Sequence, residues 1–250
     1  MTKDDPYYIS AVGALGEGSS NSLSKDTDLA LAIGTKLADF TTGSWANFEN
    51  PNFKLVSVNT ARYDTTKHLA TPVISDAKVG LQKISEALGD WKAPDDWYKR
   101  AIKEKNEWDA YVEKQSGPTN QEEPSYAHAV GAVYRNSDPS DIVVTAAGGL
   151  VGEVVQVWKP KQLNTFETEW GFSCMGYEIS GALGIKMAKP DQDVVVFVGD
   201  GSYLLNNTDI YSSVIYDQKL IIIVCDNGGH MVINRLQLAK GGKEYICNLR

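Results

Sequence analysis

Cysteine is scarce in this chain of 250 residues, and the three that occur stand far apart. Cys174, Cys225 and Cys247 form no C-x-x-C pair and are too few for a disulfide framework. Small secreted domains of the disulfide-rich kind are thereby excluded. We expect a protein of a reducing compartment and predict the cytoplasm.

Excess positive charge and long apolar runs are also missing. The formal net charge is -8 and the sequence pI is about 5.0. Proteins that bind nucleic acids or anionic membranes do so through basic surfaces. A helix that spans a membrane needs about 20 apolar residues. The opening segment MTKDDPYYIS also has no apolar stretch of the signal-peptide kind. We therefore expect a small-molecule substrate and neither a nucleic-acid nor a membrane partner.

The composition is that of a globular protein with room for two α/β domains. Hydrophobic residues make up 42% and charged residues 22% of the chain. In residues 1–90, the short apolar runs LALAIG, KLVSVN and TPVISD alternate with helical patterns, among them a helix after Asp76 with an apolar stripe. Residues 91–123 are highly charged and predict a linker helix and loop. Residues 124–250 form the second predicted domain.

The second domain alternates strictly between strands and helices. DIVVTAAGG, VVVFVGDG and KLIIIVCDNGG are apolar enough to be strands buried on both faces of a parallel sheet, and about four turns of helix are expected between the last two. The fold class is α/β, with two doubly wound parallel-sheet domains. Ligands of such sheets bind beyond the carboxyl ends of the strands, where GDGS and DNGG lie.

Asp200 and Asn227 form a candidate metal site. They are 27 residues apart, one strand-helix-strand step, so parallel neighbouring strands would bring both to one edge of the sheet. A magnesium ion prefers hard oxygen ligands, which a carboxylate, an amide oxygen and the carbonyl of Gly229 could supply. Gly199 and Gly201 allow close approach of a phosphate, and Ser202 lies where a helix would begin. A lone GDG is also common in ordinary turns, which stays the alternative.

The whole arrangement resembles the signature of thiamin diphosphate enzymes: GDG, some two dozen residues, then Asn. The resemblance implies that Asp200, Asn227 and Gly229 bind Mg²⁺ and that GDGS holds the diphosphate. SCMGYEISGALG resembles the family stretch in which a bulky apolar residue, here Met175, props the cofactor into a bent shape, with an ordinary core methionine as the alternative. Gly148 and Gly149 resemble the turn on the other side of the diphosphate, with a simple turn after the strand as the alternative.

The resemblance extends to most of the chain. ALAIGTKLADFTTGSWANF, VTAAGGLVGEVVQVW, FETEWGFSCMGYEISGALGIKMA, VFVGDGSYLLNNTDI and INRLQ together resemble the thiamin diphosphate-dependent trihydroxycyclohexane-1,2-dione hydrolases of inositol breakdown. This implies hydrolytic carbon-carbon cleavage of a cyclic diketone to a deoxy-glucuronic acid, and a homodimer or larger homo-oligomer.

The resemblance covers the central domain without its beginning and the diphosphate domain without its end. The pyrimidine domain, which carries the activating glutamate of the family, has no counterpart, and neither Glu17 nor Glu178 stands in a matching motif. The alternative to an enzyme is therefore a non-catalytic fragment or split-gene module that needs a partner chain for that domain. His230, directly after DNGG, is either a substrate or general-acid residue or an exposed loop histidine.

Overall fold

The computed structural model describes residues 2, 5–169 and 171–249 in two compact units. The N-terminal unit is Ile9–Ala110, and the C-terminal unit comprises Met1–Tyr8 and Tyr111–Arg250. The units therefore divide within α5 (Asp95–Ser116), inside the predicted linker, and the domain limits at residues 90 and 124 stay a prediction. No helix in the described part of the chain is long and apolar enough to cross a membrane.

The N-terminal unit contains a three-stranded parallel sheet in the order β1-β2-β3. Its strands are the three apolar runs identified in the sequence. In chain order its elements are α1 (Gly18–Asp26), β1 (Leu29–Ile33), α2 (Asp39–Thr42), β2 (Lys54–Asn59), α3 (Arg62–Thr66), a 3₁₀ turn (Lys67–Leu69), β3 (Thr71–Ile74), α4 (Ala77–Leu88) and the first part of α5.

The helix predicted after Asp76 is present as α4, but its apolar stripe is not buried. Asp76 caps it as expected, since its Oδ1 accepts hydrogen bonds from two backbone N–H groups of the first turn, at 2.9 and 3.2 Å. The stripe does not face the sheet, because α4 meets the sheet at Gly80, where an added Cβ would lie 2.7 Å from Val58. The exposed stripe residues are Val79, Leu81 and Leu88.

The C-terminal unit contains a four-stranded parallel sheet in the order β5-β4-β6-β7. The chain thus has two parallel-sheet α/β domains, as predicted. The elements of this unit are the end of α5, α6 (Tyr126–Asn136), β4 (Ile142–Thr145), α7 (Leu150–Val157), β5 (Phe166–Thr168), α8 (Tyr177–Ala188), β6 (Val194–Gly199), α9 (Asp200–Leu205), α10 (Asp209–Ile215), β7 (Ile221–Cys225) and α11 (Met231–Ala239).

The core of this unit forms around β6, which lies between β4 and β7. Residues 194–198 are almost fully buried, which confirms the central strand expected from an unbroken apolar run. On one face, Val194, Val196 and Val198 cluster with Ile142, Val144 and Ile179. The expectation for β7 was wrong, because it is the edge strand of the sheet and only Cys225 in it is buried.

The four-turn helix expected between β6 and β7 is also wrong. Two short helices, α9 and α10, take its place, and Asn206 separates them with φ −151° and ψ 87°, outside the helical region. The side chain of Asn206 accepts a hydrogen bond from the hydroxyl of Thr208 at 3.2 Å. Asparagine disfavours the helical conformation in this way, because its side chain forms hydrogen bonds with neighbouring groups when the backbone is not helical.

Replacing Ile179 by alanine should destabilise the C-terminal unit. Its side chain is fully buried, so we expect the free energy of unfolding to fall by about 2–5 kcal/mol, measured by denaturant unfolding. The control is Leu163→Ala, at a residue 66% exposed, which should change it by no more than about 0.5 kcal/mol. Equal effects of the two substitutions would contradict this description of the core.

Candidate functional site

An open pocket of about 230 Å³ lies where β4, β6 and β7 end. Because the strands are parallel and paired in register, the loops that follow them lie at the same edge of the sheet. All ten residues predicted from the sequence for binding or catalysis line this pocket: Gly148, Gly149, Met175, Gly199, Asp200, Gly201, Ser202, Asn227, Gly229 and His230.

The GDGS segment forms the floor of the pocket. Asp200 is the first residue of α9 and is 9% exposed, so its carboxylate has lost most of its contact with water. A Cβ added to Gly199 would meet no atom within 4 Å, which leaves open space above the backbone. At Gly201, an added Cβ would lie 2.6 Å from the ring of His230, so any larger residue would have to displace that ring.

The DNGG segment brings Asn227 to the same pocket. The Oδ1 atom of Asn227 accepts a hydrogen bond from Gly229 N–H at 3.1 Å, and its Nδ2 donates to the hydroxyl of Tyr126. Gly229 has φ +152°, and a Cβ there would lie 2.1 Å from the carbonyl oxygen of Cys247, so no other residue fits. Asn227 is thus held from two sides in a loop whose shape requires glycine.

The donor chemistry of the pocket fits a divalent cation bound with a diphosphate. Asp200 and Asn227 offer a carboxylate and an amide oxygen, the hard ligands that Mg²⁺ prefers. Among the described residues that line the pocket, His230 is the only one whose side chain can carry a positive charge. A diphosphate bound here would therefore depend on a metal ion and on backbone N–H groups for its counter-charge.

The turn after β4 forms a second wall. Gly148 has φ +78°, a backbone conformation that glycine adopts without strain, and a Cβ there would meet no atom within 4 Å. Gly149 follows and precedes α7, whose first N–H groups have no acceptor within the helix. The wall therefore presents bare backbone to the pocket, as a phosphate-binding turn does.

The buried carboxylate of Glu178 joins this wall to the Met175 loop. Glu178 is 1% exposed, and its two oxygens accept hydrogen bonds from the N–H of Ala147 at 3.2 Å and the N–H of Gly176 at 2.8 Å. It lies in the first turn of α8, where the helix dipole favours a negative charge. Glu178 therefore ties together two loops, and its carboxylate faces the backbone rather than a substrate.

A second carboxylate shapes the loop before Met175. The oxygens of Glu169 accept hydrogen bonds from the N–H groups of Phe172 and Cys174, both at 2.9 Å. These hydrogen bonds hold the pKa of Glu169 below its usual range, and the bond from Cys174 has the largest effect. The carboxylate therefore remains charged in mild acid. Met175, held between Glu169 and Glu178, lies beside Gly201, with its Cε 3.4 Å from the Cβ position there.

His230 and Cys225 lie close to Asn227 in the chain but differ in setting. The ring of His230 packs against Gly201, and its backbone N–H donates to the carbonyl of Cys247 at 2.7 Å, so it belongs to the pocket wall. Burial raises the pKa of Cys225 to about 11, and the thiol is therefore neutral and unreactive near neutral pH.

Sequence reasoning missed Tyr126 as a pocket residue and the bridging role of Glu178. Tyr126 begins α6, 101 residues before Asn227, in a segment without a motif. Burial raises the pKa of its phenol, which therefore stays protonated at neutral pH. Glu178 did offer a signal, because a lone acid in the apolar, glycine-rich segment CMGYEISGALG has to be buried with partners.

Comparison with known proteins identifies the family. Residues 1–84 match the central domain of thiamine pyrophosphate enzymes, and residues 146–249 match their C-terminal TPP binding domain. The chain belongs to the thiamine pyrophosphate enzyme family. The second match includes all ten predicted site residues, so the pocket lies within the domain that the family model describes as TPP binding.

Three relatives of this thiamine pyrophosphate family member share a name. Proteins named 3D-(3,5/4)-trihydroxycyclohexane-1,2-dione hydrolase from Geobacillus thermodenitrificans, Clostridium tetani and Lacticaseibacillus casei are 33%, 34% and 32% identical to it. The matches cover 98%, 97% and 100% of this chain, and 41%, 41% and 42% of the relatives. The chain thus spans about two fifths of the length of the curated relatives it matches.

Replacing Glu178 by glutamine should loosen the turn after β4 and the Met175 loop in this family member. One acceptor oxygen becomes an N–H₂ group facing a backbone N–H, and the loss of one charge-assisted hydrogen bond should lower the free energy of unfolding by about 1.5–3 kcal/mol. Hydrogen exchange at Ala147 and Gly176 should accelerate. Glu167→Gln, at an exposed residue of β5, is the matched control, and equal exchange rates in both variants would contradict the bridging role.

Proposed function

We propose that this chain binds thiamin diphosphate and Mg²⁺ in the pocket of its C-terminal unit. The observation that carries the proposal is the convergence of Asp200 and Asn227 in a pocket that is also lined by five glycines. The carboxylate of Asp200, the Oδ1 of Asn227 and the carbonyl of Gly229 are the proposed ligands of the metal. These three oxygen types match the preference of Mg²⁺, with phosphate oxygens and water completing its shell.

The diphosphate is proposed to lie between the GDGS floor and the glycine wall. Gly199, Gly201 and Ser202 form the floor, and the backbone N–H groups at the start of α9 would face the phosphates. Gly148 and Gly149 form the wall. Met175 is the proposed support of the bent cofactor, because its side chain lines the same pocket and its loop is held by carboxylates on both sides.

The proposed reaction is the hydrolytic carbon-carbon cleavage of trihydroxycyclohexane-1,2-dione to 5-deoxy-glucuronate in inositol catabolism. The names of the relatives support the substrate and the hydrolysis. The bound cofactor would supply carbanion stabilisation, while the protein orients it and excludes competing reactions. His230, at the mouth of the pocket, is the candidate for contact with the substrate or for proton transfer, and no other described residue is assigned a catalytic role.

The alternative is a non-catalytic module that binds the cofactor and receives a pyrimidine domain from a partner chain. The two described units correspond to two domains of the family, and the activating glutamate expected by resemblance belongs to a third. Turnover separates the proposals: activity of the purified chain alone supports the enzyme, and activity that appears only with a pyrimidine-domain chain supports the module.

An exposed apolar face on α9 and α10 favours association with another subunit. Five large apolar side chains there are each more than 60% exposed, and they directly follow the GDGS segment: Leu204, Leu205, Tyr211, Val214 and Ile215. Large exposed apolar patches mark sites of protein contact. We propose a second copy of the chain as the occupant, consistent with a homodimer, with a pyrimidine-domain partner chain as the alternative.

Asp200→Ala should abolish the metal-dependent stabilisation by thiamin diphosphate. For the wild-type chain, cofactor and Mg²⁺ at about a hundred times Kd should add about 2.7 kcal/mol to the free energy of unfolding, visible as a rise in Tm. The control is Asp191→Ala, which removes an exposed carboxylate before the opposite end of β6 and should keep this rise. An undiminished rise in Asp200→Ala would contradict the ligand assignment.

Val214→Lys should dissociate the proposed dimer, because it places a charge in the apolar face. Sedimentation of the wild-type chain should give twice the mass of the monomer, and the variant should sediment as a monomer. Val79→Lys introduces the same charge at an exposed valine of the N-terminal unit and should remain dimeric. A monomeric wild-type chain would contradict self-association and favour a separate partner chain.

A further inference from the structure

Tyr126 reaches the pocket from a fixed point of the backbone. It is the first residue of α6, and Ser125 caps this helix by accepting a hydrogen bond from the backbone N–H of His128. The ring of His128 in turn accepts one from the backbone N–H of Ser125 at 3.2 Å, which completes a capping box. The start of α6, and with it the position from which the tyrosine ring extends, is thereby set.

The orientation of the Asn227 amide is decided by its two neighbours. Gly229 N–H faces one end of the amide at 3.1 Å, and because a backbone N–H can only donate, that end must be the oxygen. The other end is then Nδ2, which donates to the hydroxyl oxygen of Tyr126. The hydroxyl oxygen of Tyr126 therefore accepts a hydrogen bond from Nδ2, the amide atom that the contact with Gly229 leaves on its side.

This orientation matters for a cation, because an amide binds metal only through its oxygen. If the amide rotated by half a turn, Nδ2 would face both the cation and the N–H of Gly229, and all three groups would repel. The hydroxyl of Tyr126 accepts from Nδ2 and so favours the productive rotamer. Groups that hold metal ligands in this way contribute about ten- to a hundredfold to metal affinity.

We propose that Tyr126 is a positioning residue for the metal: by accepting the Nδ2 hydrogen bond, it directs the Oδ1 of Asn227 at the cation. This inference rests on the proposed function, in which Asn227 is a metal ligand. The metal site then includes a residue of α6, which belongs to a different segment of the chain from the GDGS and DNGG motifs.

The test is Tyr126→Phe in the full chain, titrated with Mg²⁺ at a saturating concentration of thiamin diphosphate by calorimetry. The substitution removes one oxygen and keeps the ring, so Tm without ligands should stay close to that of the wild type. The Kd for Mg²⁺ should rise about ten- to a hundredfold. Tyr134→Phe is the matched control, because it removes a hydroxyl from the same helix that donates instead to the carbonyl of Lys159 at 3.1 Å.

A second background separates orientation from a general structural effect. In Asn227→Asp both terminal atoms are oxygens, so either rotamer presents a ligand to the metal. Adding Tyr126→Phe to Asn227→Asp should then leave the Kd for Mg²⁺ within about twofold, because there is no amide left to orient. A loss of affinity as large as in the wild-type background would overturn the inference, since the tyrosine would then act through packing.

The outcomes also separate this inference from the function on which it rests. A wild-type chain that takes up no Mg²⁺ with the cofactor would overturn the proposed function and this inference together. A wild-type chain that binds Mg²⁺, with an unchanged Kd in Tyr126→Phe, would overturn only the role of the tyrosine.

Discussion

Parallel pairing of β4, β6 and β7 is the constraint on which the pocket depends. The three strands are paired so that Val143, Val195 and Ile221 lie side by side across the sheet. All three strands therefore end at the same edge, and the loops that follow them lie there. The apolar run of β6 permits this arrangement, because a strand covered on both faces and paired on both edges has to be free of charge. Asp200 and Asn227, distant in sequence, become neighbours through this pairing alone.

The loops at that edge are held by polar side chains that bond to backbone. Glu178 links the turn after β4 to the Met175 loop, Glu169 holds the same loop from the other side, and Asn227 closes on Gly229. These bonds fix the shape of the loops, and the carboxylate of Asp200 lies buried on the floor of the pocket between them. The family model places this pocket within the TPP binding domain.

Most of the residues that line the pocket could be identified from local sequence motifs. GDGS and DNGG each follow an apolar run, and the strand-helix-strand spacing between them fixes which loops meet, so Asp200, Asn227 and the glycines could be predicted. Tyr126 could not, because its contact with Asn227 depends on how α6 packs on the sheet, and no local pattern encodes that packing. The exposure of the α4 stripe could not be predicted for a related reason, because helical periodicity describes a face of a helix but not what covers it. The break at Asn206 has a different cause, the local hydrogen bonding of the asparagine side chain.

The central claim is that the pocket holds thiamin diphosphate through a metal ion, and calorimetric titration of the wild-type chain with thiamin diphosphate tests it most directly. We expect saturable binding in the presence of Mg²⁺ and little or none in its absence, because the pocket has so little positive charge of its own. Binding of equal strength with and without the metal, or no binding under either condition, would contradict it.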